Sequence, residues 1–415
     1  MAASRHSSVC TRRAIKFIDL DSATVASLFD ENPMQDGCER PETSVAFTTQ
    51  QHSNQRRRSM KNAEGIEISR RRFAICGLSA GAALLAPDAL FAEGVQPLTG
   101  NAQSANLPTI KSGTNTSFAS LKQIDAGLLN VGYAEDGPAD GPAVILLQGW
   151  PYDILSYVDV APLLASKGYR VIVPYLRGYG PTRFLSNETF RNGQPYVLAL
   201  DIINLMDALK IQKAIFAGFD WGGRTADIIA ILWPERCKAL VSVSGYLISS
   251  PVGNKAPLPP RAELQWWYQF YFATERGRAG YDEYRRDFAK LIWQIASPKW
   301  NFDDATFDRT AAAFDNPDHV AIVIHNYRFR LGLAEGEPQY DKFEKQLAQL
   351  PTIAVPTITL EGDANGAPHP PDPAAYRQKF TGKYASRIIA GGIGHNLPQE
   401  APQAFAQAVI DVDGY

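Results

Sequence analysis

The chain has 415 residues, 45% of them apolar and 20% charged, with a formal net charge of −2. That is enough apolar chain to bury a large core, and it fits one main domain carrying a sizeable insertion. The near-neutral balance, with no basic stripe, argues against nucleic acid as a partner.

Residues 1–59 stand apart from the rest. They are Ser-, Gln- and Arg-rich around 50–58 and show little periodicity, which predicts disorder or a leader upstream of the true start. Next come Ser69-Arg70-Arg71-Arg72-Phe73 and an apolar stretch over 74–85 that is too short to span a membrane. The pattern over 60–92 resembles a twin-arginine export signal. That resemblance implies carriage of a folded protein by the Tat translocon to a periplasmic or secreted destination. Met60 suits a start giving an ordinary basic region, and cleavage is expected near Ala92. Of Cys10, Cys38, Cys76 and Cys237, only the last would survive processing, so no internal disulfide is expected in the mature chain.

Past the leader, β-like runs fall at 118–124, 128–133, 144–147, 171–173, 214–217 and 239–243. Helical periodicity fills 158–167, 197–209 and 225–232 between them. Strands alternating with helices predict an α/β fold, a mostly parallel sheet covered on both faces. The alternation breaks after Gly245. An aromatic, helical block over 249–337 follows, rich in tryptophan and tyrosine. It reads as a cap inserted after the sixth strand, between core segments 110–248 and 338–415. The alternation then resumes with strands at 357–360 and 387–390 and helices at 374–380 and 402–409.

Gly218-Phe219-Asp220-Trp221-Gly222-Gly223 joins an apolar strand to an amphipathic helix. The glycines allow two backbone elements to pass where a Cβ would clash, and the residue on the turn is thrust outward. Here that residue is an aspartate. A carboxylate so placed attacks an sp3 carbon and leaves an alkyl ester on the protein, which water must then cleave. Cleavage needs a base and a carboxylate to orient it. His395 in Gly391-Gly392-Ile393-Gly394-His395 supplies the base, and Asp363 in Leu360-Glu361-Gly362-Asp363 the carboxylate, with Glu361 its rival. All three sites follow predicted strands, at the end of the sheet where such sites gather. No close His, Cys and carboxylate cluster occurs, and Asp303-Asp304 reads as a helix cap, so no metal or organic cofactor is implied.

Over about 115–412 the pattern resembles the α/β-hydrolase fold, in the branch with an aspartate nucleophile: epoxide hydrolases and haloalkane or haloacid dehalogenases. The resemblance implies an oxyanion hole from the backbone N–H groups of Trp150, in Gln148-Gly149-Trp150-Pro151, and Trp221. Gln148 stands where the family usually has histidine. Arg177-Gly178-Tyr179-Gly180 resembles a recurrent structural loop of the fold. Two cap segments, Trp267-Tyr268-Gln269-Phe270-Tyr271-Phe272 and His325-Asn326-Tyr327-Arg328, resemble the tyrosine pair of soluble epoxide hydrolases. They imply Tyr268 and Tyr327 as acids for an epoxide oxygen and a small apolar or aromatic-containing substrate. Dehalogenation by the same triad is the alternative, with tryptophan indoles as halide donors or Arg224 as a carboxylate binder. A non-catalytic binding protein on the same fold is the third reading.

Overall fold

The computed structural model describes residues 107–369 and 372–415. The expected leader over 1–59 and signal over 60–92 lie outside these residues. Among those described, nine strands form one sheet: β1 (Leu121–Ala126), β2 (Leu129–Asp136), β3 (Ala143–Leu147), β4 (Arg170–Pro174), β5 (Arg183–Phe184), β6 (Ala214–Gly218), β7 (Cys237–Val243), β8 (Thr357–Gly362) and β9 (Tyr384–Ile389). Their order is β1-β2-β4-β3-β6-β7-β8-β9, with β5 paired to β2. Pairing is antiparallel through β1, β2 and the β2–β4 contact, and parallel from β4 to β9. Val144, Ile145, Leu146 and Leu147 are fully buried, as expected for a central strand covered on both faces.

The core helices are α1 (Val160–Ala165), α2 (Pro195–Ala208) and α3 (Asp220–Leu232). Helices α4 (Pro251–Lys255), α5 (Pro260–Gln265), α6 (Trp267–Phe272), α7 (Glu275–Ala296), α8 (Asp304–Ala311) and α9 (His319–Arg330) form the inserted block. Helix α10 (Asp341–Leu347) precedes β8, and α11 (Leu397–Glu400) and α12 (Pro402–Asp413) close the chain. Asp303 is the N-cap of α8 and accepts the Thr306 N–H at 2.7 Å.

Two expectations are corrected. The cap follows the seventh strand, not the sixth, because β5 adds one to the count. This strand pairs only Phe184 and Arg183 with Leu129 and Asn130, too short a run to show a period in sequence. The helix expected over 374–380 is instead two 3₁₀ turns, Pro373–Ala375 and Arg377–Lys379. There the backbone is drawn into a bridge, with Ile353 donating to Lys379 O and Thr381 donating to Ile353 O. Those bonds compete with a continuing helix.

The cap is anchored to the loop after β3. Trp293 of α7 is fully buried, stacks on Tyr152 at 5.0 Å and donates its indole N–H to Pro151 O at 2.8 Å. Thr310 of α8 donates to the buried Asp153 carboxylate at 2.9 Å. Truncating an aromatic so placed costs about 3–5 kcal/mol. The same loop carries Trp150, so cap docking and site geometry share one anchor.

Candidate active site

Strand β6 ends at Gly218 and α3 begins at Asp220, whose φ of +51° lies in the left-handed region that a non-glycine residue seldom adopts. The turn is tight enough that a Cβ on Gly222 would collide with Leu147 O of β3, and one on Gly149 would strike Asp220 itself. Glycine at both positions therefore lets the loop after β3 close over the carboxylate. That strain is held by its surroundings, as is common where a reactive group is presented.

The Trp150 backbone N–H donates to Asp220 Oδ1 at 2.8 Å, and His395 Nε2 lies 3.6 Å from Oδ2. Burial pushes the Asp220 carboxyl upward, but the His395 imidazole, the Arg224 guanidinium and the Trp150 N–H together hold it below the usual carboxylate value. Asp220 is thus held as an ionised carboxylate. The Trp221 N–H, in the first turn of α3 where no intrahelical acceptor exists, makes no hydrogen bond to Asp220. Gln148 is fully buried, and its amide, in the orientation that satisfies both ends, donates to Pro174 O at 2.8 Å and accepts from Leu176 N at 3.2 Å. It thereby ties the loop after β3 to the end of β4.

His395 is only 8% exposed. Its backbone N–H is shared between Ser297 Oγ at 2.9 Å and Ala296 O at 3.2 Å, and the Ser297 hydroxyl donates to Glu400 at 2.7 Å. Its Nδ1 is buried with no hydrogen-bond partner among the described residues. Asp363 does not serve it. The Asp363 carboxylate is exposed and accepts the N–H groups of Gly391, Gly392 and Ile393 at 3.1, 2.8 and 2.9 Å. These N–H bonds hold the Asp363 carboxyl below its ordinary value and pin the glycine loop before His395. The rival Glu361, at the end of β8, is 8% exposed. Its Oε1 accepts from Asn365 at 2.7 Å, and its Oε2 is buried and unpartnered.

From the cap, Tyr268 of α6 and Tyr327 of α9 line the same cavity as Asp220 and His395. Their rings meet edge-on at 5.5 Å, and each packs 5.2 Å from the Trp150 ring. Burial pushes both phenols well above the ordinary tyrosine value, so each keeps its proton as a donor at neutral pH. Buried aromatic walls of this kind suit a small apolar or aromatic group.

Several neighbours escaped the sequence reading. The Trp150 indole donates to Tyr281 Oη at 2.8 Å, Tyr281 Oη lies 2.8 Å from His319 Nε2, and His319 Nδ1 lies 2.9 Å from Gly178 O. One tautomer satisfies the chain: Tyr281 donates to Nε2 while Nδ1–H donates to Gly178 O. Burial, the dominant effect, holds His319 down to about 3, and hence neutral. Arg224 and Arg330 also line the cavity. Arg224 lay open as a signal, one helical turn from Asp220. For Arg330 and His319 no sequence motif pointed the way, because their approach depends on how α9 docks.

The α/β-hydrolase fold family model matches residues 142–278. The chain is similar to a candidate epoxide hydrolase of known structure from Klebsiella pneumoniae, with 66% identity, 72% of this chain and 98% of that one covered, and a TM-score of 0.71. Epoxide hydrolase B of Mycobacterium tuberculosis is 34% identical over 157 residues, which is 34% of this chain but only 43% of that protein. The match therefore spans less than half the length of that curated relative. Epoxide hydrolase A of the same organism is 24% identical over 316 residues, 69% of this chain and 95% of that protein. With two-thirds identity along nearly all of the Klebsiella protein, the chain belongs to the α/β-hydrolase superfamily, in its epoxide-hydrolase branch.

Proposed function

We propose that the protein hydrolyses an epoxide to a vicinal diol through an ester on Asp220. The observation that carries this reading is two protonated phenols, Tyr268 and Tyr327, lining one cavity with an ionised carboxylate. Asp220 attacks an epoxide carbon, the C–O bond breaks, and a phenol gives its proton to the leaving oxygen. His395 then takes a proton from water, which adds to the ester carbonyl carbon. The tetrahedral oxyanion forms against the Trp150 N–H and the open Trp221 N–H. On collapse the proton of the added hydroxyl passes to the departing alkoxide, which returns the Asp220 carboxylate and releases the diol, and the proton taken up by His395 returns to the phenolate.

Glu361 is our choice for the carboxylate that serves His395. It is a buried acceptor with an unfilled oxygen, next to Gly362, which packs against Ile393 and Gly394 of the loop leading to His395, and the imidazole has an unfilled Nδ1. Dehalogenation remains the second reading, favoured by one feature: Trp221 Nε1 is buried with no partner, as a halide donor would be. The Trp150 indole, by contrast, is already spent on Tyr281. A periplasmic or secreted location through the Tat translocon, and a division into core 110–248 and 338–415 with cap 249–337, belong to the same proposal.

The test is intact mass of the His395→Gln protein after brief exposure to styrene-type epoxides and to bromoalkanes. An adduct equal to the whole epoxide supports the proposal. An alkyl adduct lacking bromine moves the assignment to dehalogenase, and no adduct from either set points to a substrate of different chemistry from both.

A further inference from the structure

Among the residues that line the cavity, Asp220 is the only acid, yet two arginines face it. Arg330 is 8% exposed, its Nε is buried with no hydrogen-bond partner, and its guanidinium lies 5.5 Å from the Tyr327 ring centroid and 5.9 Å from that of Trp266. Arg224 donates through Nε to Leu247 O at 3.0 Å. Among the described residues, neither arginine forms a salt bridge, and no other hydrogen bond is made by either guanidinium. Burial, followed by repulsion from Arg330, lowers Arg224 to about 10.

Buried cations are ordinarily paired, because removing a charge from water costs several kcal/mol per ion. Asp220 can balance one guanidinium in the resting protein. It cannot do so during turnover, since the ester that forms on it carries no charge. Asp227, the acid nearest Arg224 along α3, is pushed up to about 7 by burial and supplies at most a partial charge. At the ester stage the phenolate left by the donated proton takes the place of Asp220, so at rest and during turnover alike the lining sets two guanidiniums against one full counter-charge.

We infer that the substrate brings the missing charge: an epoxide bearing a carboxylate, whose anionic end is held by Arg224 and Arg330 while the oxirane faces Asp220. The inference rests on the epoxide reading above and names its substrate class. Two guanidinium forks can take one carboxylate through parallel N–H···O bonds, which fixes its orientation as well as its charge. The aromatic walls enclose the carbon skeleton, and the carboxylate itself is unchanged by ring opening. The overall change is addition of one water to the oxirane.

Glycidate and glycidamide have the same number of heavy atoms and differ in charge, so their kcat/KM ratio reads the subsite directly. We expect the wild-type protein to favour glycidate by about 10–100-fold, the scale of charge-assisted hydrogen bonds. Arg330→Met should pull that ratio towards one, and Arg330→Lys should restore part of it. A misfolded variant would lose both substrates in proportion and leave the ratio where it was. A wild-type ratio near one, with turnover of either epoxide, overturns the carboxylate subsite and leaves epoxide hydrolysis standing. Should neither be turned over, binding of the unreactive pair cyclopropanecarboxylate and cyclopropanecarboxamide, by calorimetry, decides the subsite alone. Tighter binding of the carboxylate, weakened by Arg330→Met, supports it even if the epoxide reading fails; equal or absent binding overturns it.

Discussion

Around Asp220 the core holds its reacting side chains with backbone devices, whereas the cap acts through side chains alone. The core contributes a left-handed turn at the nucleophile, two glycines without which the loops could not pass, and the Trp150 N–H. The cap contributes two phenols, a guanidinium and the hydrogen-bonded pair Tyr281 and His319. Backbone devices are tolerant of substrate but intolerant of substitution, while side-chain devices choose the substrate. The core should therefore set whether an ester forms, and the cap, joined by Arg224 of α3, on what.

The sharpest break on the core side is Asp220→Asn. It removes the nucleophile but keeps the acceptor for the Trp150 N–H, so turnover should fall by about 10⁴-fold or more. Because folding is not asked to change, the thermal midpoint should stay within a few degrees of wild type. A large loss of stability instead would mean that the ionised carboxylate holds the turn together.

On the cap side, Tyr268→Phe and Tyr327→Phe each remove one proton donor and keep the ring packing against Trp150. Each should lower kcat by about 10- to 100-fold, and the double variant by more, within the range of general acid catalysis. A substrate with a better leaving group, such as an alkyl bromide, should be far less sensitive. Equal sensitivity for both would remove the phenols from the role of acid.

A smaller effect separates the two carboxylates near His395. Glu361→Gln should slow ester hydrolysis by about 10- to 100-fold, so that the alkyl-enzyme ester builds up and is seen by rapid-quench mass measurement. Asp363→Asn should weaken the 391–393 loop, seen as a lower thermal midpoint, with a lesser effect on that step. If the ester accumulates in the Asp363 variant and not in the Glu361 variant, the assignment reverses.

How far the residues announced this site follows the same division. The glycine-flanked Asp220 was readable because the turn leaves an unavoidable backbone signature, and the parallel sheet because strands covered on both faces are uniformly apolar. Tyr268 and Tyr327 were readable only through local resemblance. Arg330 and His319 were not, since helical spacing says nothing of which neighbour a helix will face. Asp363 misled for a related reason. A carboxylate beside a strand end can turn towards the base or towards the next loop's N–H groups, and here three N–H donors draw it to the loop. The choice between Asp363 and Glu361 is one of side-chain direction, which sequence leaves open.

The gentlest test concerns the seam between core and cap. Asp153 bridges to Thr310 across it and is pushed up to about 7 by burial, which outweighs its hydrogen bonds to Thr310 and Leu155 N. Asp227 in the core and Glu344 of α10 are raised to about 7 for the same reason. In the unfolded chain these groups ionise near 4, so between about pH 4 and 7 the unfolded chain binds fewer protons than the folded one. Stability must then fall as pH rises through that window and level off above it. His319, held down to about 3, and His325, also lowered by burial, act in the opposite sense below the ordinary imidazole value. They offset part of this fall, but the three raised carboxylates outnumber them. Asp220 and Glu135, held below their ordinary values, oppose it only at lower pH. The thermal midpoint should therefore be higher at pH 5 than at pH 8. Asp153→Asn, which retains an acceptor for both partners without an ionisable proton, should shrink that difference. If Asp227→Asn shrinks it and Asp153→Asn does not, the pH response belongs to the core alone and the seam carries none of it.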